Sequence, residues 1–109
     1  MKVKELADKL GLQALNAYKD KDVESVYISD MVSDIITGAK ANSVLVTLQT
    51  HKSLIAAANL VDVAMIIFVK SKTPASDVVE LATKAGIGLF VSTADTWTFA
   101  RKLAEIGLK

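Results

Sequence analysis

Ser43–Val69, SVLVTLQTHKSLIAAANLVDVAMIIFV, decides the fold of this chain. Ser43 to Thr47 is aliphatic and β-branched and reads as a strand. A polar turn follows, Thr47-Leu48-Gln49-Thr50-His51-Lys52, and then a short helix over about Ser53 to Val61. Asp62 turns that helix into a second strand, Ala64 to Val69. This strand shows no alternation: Met65-Ile66-Ile67-Phe68-Val69 is apolar on both faces, as in the centre of a parallel sheet covered above and below by helices. Strand, helix, strand in this order is a βαβ unit, and it places the polar turn beyond the carboxyl end of its first strand.

The flanking sequence extends the pattern in both directions. Upstream, Val3, Leu6, Ala7 and Leu10 form one helical stripe stopped by Gly11, and Leu12, Leu15 and Tyr18 suggest a second short turn. The charged connector Lys19–Glu24 leads into a strand over Glu24–Ile28. Ser29 or Asp30 is placed to cap a helix over Met31–Ala39, with Ile35 and Ile36 inward. Downstream, Thr73 as N-cap and Pro74 at the first helical position mark a helix start. Val78, Leu81, Ala82 and Ala85 form its inward stripe, and Gly86 stops it. Ile87–Val91 is the last strand. Ser92, Thr93 and Asp95 open a last helix with Phe99, Leu103 and Ile106 inward. The expectation is one α/β domain over residues 1–109. It is a three-layer α/β/α sandwich with a mainly parallel sheet of about four strands and a helical N-terminal arm.

Composition excludes several classes. A chain of 109 residues buries about 60–70% of its unfolded surface and needs no staple. With 51% hydrophobic but only 6% aromatic residues the core must be aliphatic, and so apolar a small domain favours a homo-oligomer. Thirteen basic and twelve acidic residues are interspersed at net charge +1, so there is no electrostatic footprint for nucleic acid or an anionic membrane. Without cysteine there is no disulfide framework or thiolate metal site. The start, MKVKELADKLG, lacks a signal-peptide apolar run, and the apolar stretch Leu54–Val69 is too short to span a bilayer. Cytoplasmic placement is expected.

Ligands of an open parallel sheet bind beyond the carboxyl ends of its strands. That edge collects Ser29 and Asp30, then Thr47, Gln49, Thr50, His51 and Lys52, then Lys70 to Thr73, then Ser92, Thr93, Asp95 and Thr96. Two readings stand side by side. The hydroxyls and carboxylates cap helices, as any α/β protein requires; or, with helix N-termini and Lys52, Lys70 and Lys72, they form a pocket for a small anion or nucleotide. For the pocket, Ser29, Asp30, Thr47, Gln49, His51, Ser92 and Thr93 are the ligand candidates. His51 is the only histidine and has no partner residues at metal or triad spacing. Asp30 and Asp34 share a helix face, for which an N-cap and a first-turn carboxylate account. No P-loop and no dinucleotide fingerprint occurs. No metal site, no cofactor and no catalytic residue is assigned. The helix over 53–61 is apolar nearly all round. Leu54, Ile55 and Ala58, together with Trp97, are therefore candidates for a subunit interface.

Three stretches, YISDMVSDIITGAK, VTLQTHKSLIAAANLVDVAMIIF and TPASDVVELATKAGIGLFVSTADTWTFARKLAEIGL, carry a resemblance to a stand-alone DRTGG domain. The resemblance implies an α/β/α domain similar to the N-terminal domain of HPr kinase/phosphatase. Related domains accompany nucleotide-sensing modules of the cystathionine-β-synthase type in some pyrophosphatases and occur within long phosphotransacetylases. In those settings the family is regulatory or dimer-forming, without catalysis of its own. The naming motif is degenerate here: about Thr50-His51 stands for its Asp-Arg and about Val69-Lys70-Ser71 for its Thr-Gly-Gly. The expected function is a non-catalytic regulatory or interaction domain that homodimerises. The alternatives are a sensor of a nucleotide or phosphorylated metabolite at the carboxyl edge of the sheet and, last, an enzyme using His51 or Asp30.

Overall fold

The computed structural model of the chain describes residues 1–108. Helix α1 (Val3–Lys9) precedes strand β1 (Ser25–Ile28), after which strands and helices alternate: α2 (Val32–Gly38), β2 (Ser43–Thr47), α3 (Lys52–Leu60), β3 (Met65–Phe68), α4 (Ser76–Ala85), β4 (Gly88–Val91) and α5 (Thr96–Glu105). The four strands form one sheet in the order β1-β2-β3-β4, every neighbour parallel. A sheet that adds each new strand on the same side sends consecutive right-handed crossovers over one face, and α2, α3 and α4 pack side by side.

Successive strand residues divide between two core clusters, as the period of two demands. Val44, Val46, Met65, Ile67 and Phe90 join Val3, Leu6 and Ala7 of α1 and Phe99 and Leu103 of α5. Leu45, Ile66, Phe68 and Leu89 join Ile35, Leu54, Ile55, Ala58, Val78 and Ala82 of the three crossover helices. Every residue of β2 and β3 is buried, which is why the unbroken apolar run of β3 reads as it does. Helix α1 is a packed part of the core, with Val3 and Leu6 fully buried.

Several local expectations are corrected. Residues 12–18 form no helical turn but lie along the outer edge of β4, where Ala14 pairs with Phe90. The Leu15 N–H donates to the Leu89 carbonyl at 2.8 Å. The Asn16 side chain donates to the Ile87 carbonyl and accepts from the Leu89 N–H, each at 2.9 Å. Helix α4 starts at Ser76 rather than at Pro74, and its N-cap, Ala75, has no side-chain cap. The preceding loop uses the extra residues: Lys70 and Ser71 are both left-handed, at φ 55° and 58°. Their N–H groups donate to the carbonyls of Ala94 and Ser92 at 2.8 Å. Neither Ser29 nor Asp30 caps α2, whose N-cap is Met31, because Asp30 turns to the neighbouring loop instead. Ile36 and Leu81, expected inward, are exposed; their neighbours Ile35 and Ala82 take the buried positions.

Candidate functional site

All seven ligand candidates stand at the carboxyl edge of the sheet, each just beyond or at the end of its strand. There they form local hydrogen-bond chains. The Asp30 carboxylate accepts from the Thr47 hydroxyl at 3.0 Å and from the Leu48 N–H at 2.7 Å. The Thr47 oxygen in turn accepts from the Gln49 N–H at 3.0 Å, and the Gln49 side-chain oxygen from the His51 N–H at 3.0 Å. His51 is the N-cap of α3: its Nδ1 accepts from the Ser53 N–H at 3.1 Å and lies 2.9 Å from the Ser53 hydroxyl. An Nδ1 that accepts leaves the proton of the neutral ring on Nε2. One relay therefore runs from the end of β1 to the start of α3, with every link closing on backbone or a neighbouring side chain.

The other loops follow the same rule. The Ser29 oxygen accepts from the Met31 N–H at 3.2 Å, and the Ser92 oxygen from the Ala94 N–H at 3.1 Å. Asp95 caps α5 by accepting from the Thr98 N–H at 2.7 Å. Those hydrogen bonds, chiefly with the Thr98 backbone, and the charge of Lys70 hold its carboxyl below the usual carboxylate range. Thr93 is exposed.

The edge does not form one pocket from all seven residues. A cavity of about 350 Å³ is lined by Gln49, Thr50, His51, Lys52, Ala75, Asp77 and Val78. It joins the starts of α3 and α4 and takes in two of the candidates, Gln49 and His51. Ser29, Asp30, Thr47, Ser92 and Thr93 are not part of its lining. The contribution of α4 was not visible in the sequence, since the residues concerned are an alanine, a first-turn aspartate and a core valine. A larger hollow of about 420 Å³, between residues 17–19 and 83–86, lies at the opposite end of the sheet by the start of β4. Among the described residues no cluster of three or more histidine, aspartate or glutamate side chains is suited to a metal ion.

The interface candidates separate sharply. Leu54, Ile55 and Ala58 are 0%, 2% and 0% exposed within the single chain, packed with the sheet and its crossover helices. They present no surface to a second subunit. The outward residues of α3 are Lys52, Ala56, Asn59 and Leu60. Trp97 is 70% exposed.

Fold and edge together define a small parallel α/β module whose strand-end loops are held by their own side chains. The chain belongs to the DRTGG domain family, whose profile matches residues 5–106. No curated protein matches it. Among solved structures it is similar to the CBS and DRTGG domains of the regulatory region of Clostridium perfringens pyrophosphatase, complexed with activator, diadenosine tetraphosphate. The TM-score is 0.70 at 19% identity, over 91% of this chain and 44% of that one. At that identity the likeness shows the fold alone, and this chain spans less than half the length of that structure. Lys70 and Ser71, in the loop after β3, both take the left-handed conformation that glycine adopts most readily. No helix among the described residues is long and apolar enough to cross a membrane.

Proposed function

We propose that this chain is a non-catalytic regulatory domain that acts by homodimerising. The observation that carries the absence of catalysis is the occupancy of the sheet edge. Asp30, Thr47, Gln49, His51, Ser92 and Asp95 each engage the backbone of their own or an adjacent loop, and the Ser53 hydroxyl, 2.9 Å from His51 Nδ1, meets a nitrogen already taken by the Ser53 N–H. Likeness in fold to a regulatory region supports the regulatory part. The apolar composition and the exposure of Ile28, Met31, Leu60 and Trp97 support self-association. Light scattering at micromolar concentration tests it: a dimer is expected, and a monomer throughout overturns the reading.

A second reading has its own support. The cavity between the starts of α3 and α4 falls within the size range of small-molecule sites, and the similar regulatory region is complexed with a nucleotide. The domain then senses a nucleotide or phosphorylated metabolite through Gln49, His51 and Lys52. A thermal-shift panel including diadenosine tetraphosphate and adenosine mono- and triphosphates tests this. A ligand at a hundredfold excess over its Kd adds about 2.7 kcal/mol of stability, and Lys52→Glu should abolish the shift. No shift across the panel removes the sensor reading.

A further inference from the structure

The two edges of the sheet are finished differently. The outer edge of β4 is sealed by residues 14–19, which hydrogen-bond along it through Leu15, Asn16 and Lys19. Among the described residues no comparable segment pairs with β1. The Glu24 N–H donates to the Asn42 carbonyl. At the other end the Ser29 N–H donates to the Val46 carbonyl, and with Ile28 in register with Val46 the alternation of a parallel ladder turns Ser25 and Tyr27 toward β2 and Val26 outward. Upstream, the Val23 N–H is taken by the Met1 carbonyl, so the open stretch centres on Val26. β1 itself, Ser25-Val26-Tyr27-Ile28, carries no charge and no proline, the usual devices that blunt an edge. A groove of about 280 Å³ runs beside it, lined by Ser25, Val26, Tyr27, Gly38 and Lys40. Ile28 and Met31 at its far end are 46% and 63% exposed.

We infer that this edge pairs with the same edge of a second copy of the chain, antiparallel about a two-fold axis at Val26, so that the two sheets become one. The inference rests on the homodimer reading and specifies its seam. Hydrogen bonding favours a second copy, because the outward N–H and C=O of Val26 lie at the axis and complement those of the same residue in the other copy. Val26 of each copy then meets Val26 of the other, each N–H donating to the opposite carbonyl, and Ser25 of each copy stands opposite Tyr27 of the other. Charge points the same way. Lys40 lines the groove with Ser25, while Asp34 sits at the Tyr27 end, its carboxylate 2.9 Å from the Tyr27 hydroxyl. Antiparallel pairing brings Lys40 of each copy to Asp34 of the other, opposite charges meeting on both sides of the axis.

Charge reversal on the full chain tests the seam, with sedimentation equilibrium as the measurement. Lys40→Glu should raise the dimer Kd by about tenfold or more, and adding Asp34→Lys to that variant should restore it. Val26→Pro, which removes an outward N–H without touching the β2 ladder, should also weaken the dimer, with an unchanged circular dichroism spectrum as the check on folding. A wild type that is monomeric overturns the homodimer reading and the seam together. A wild-type dimer indifferent to Lys40→Glu and Val26→Pro keeps the first and overturns the second, as does a Lys40→Glu loss that Asp34→Lys does not restore.

Discussion

The Asp30 carboxylate lies 3.0 Å from the Thr47 hydroxyl and accepts its hydrogen, joining the end of β1 to the end of β2. Thr47 is 1% exposed, and the same oxygen accepts from the Gln49 N–H. A buried side chain thus holds the turn before α3 from below while Asp30 holds it from the side.

Thr47→Val keeps the shape of this residue and removes both bonds, leaving the Gln49 N–H without its acceptor. Stability should fall by about 1–2 kcal/mol, read from urea denaturation. The loss should shrink when Asp30 is already alanine, since the two residues share one bond.

Ser71 is an exposed non-glycine residue at φ 58°, directly after Lys70 at φ 55°. Left-handed backbone costs a side-chain-bearing residue about 1–2 kcal/mol, part of which glycine returns through its looser unfolded state. Ser71→Gly should raise stability by roughly 0.5–1 kcal/mol, whereas Ser71→Val should lower it. An unfolding midpoint unmoved by either change would contradict the strained loop.

The pH dependence of Asp95 follows from its cap. Its carboxyl is held below the usual range in the folded chain. The stability it contributes is therefore complete above the unfolded-state pKa and is lost as pH falls through the lower folded value. Asp95→Ala should destabilise at neutral pH, and the gap to wild type should close in the acid range below about pH 4. Thermal melts at a series of pH values measure the gap.

Asn16 mimics a strand residue on β4 with both ends of its amide. Asn16→Ala leaves the Leu89 N–H and the Ile87 carbonyl without partners and should cost about 1–3 kcal/mol. Amide exchange at Leu89 reports the opening directly and should accelerate with it.

The run from Met65 to Phe68 and the strand from Ser43 to Thr47 were legible because a residue buried on both faces must be apolar whatever its neighbours. The inward stripe Phe99–Leu103 and the Asp95 cap were legible for a similar reason, since helix period and capping are local. The site was less so. Serine, threonine and aspartate after a strand suit a helix cap and a ligand equally, and only the measured distances show Asp30 crossing to Thr47 instead of capping α2. Thr73-Pro74 is a sound local start signal, but the loop before α4 is tied to Ser92 and Ala94, residues some twenty positions away, and the helix begins later.

Alternation, period and capping residues, which act within a few positions, determined that this chain is a parallel βα repeat with its polar loops at one edge. Tertiary structure decided the rest, because it depends on contacts between distant positions. Asn16 closes β4 through partners 71 and 73 residues away. Leu54, Ile55 and Ala58 are turned into the core rather than toward a partner. β1 ends as the open edge because strand order, a global property, places it outermost.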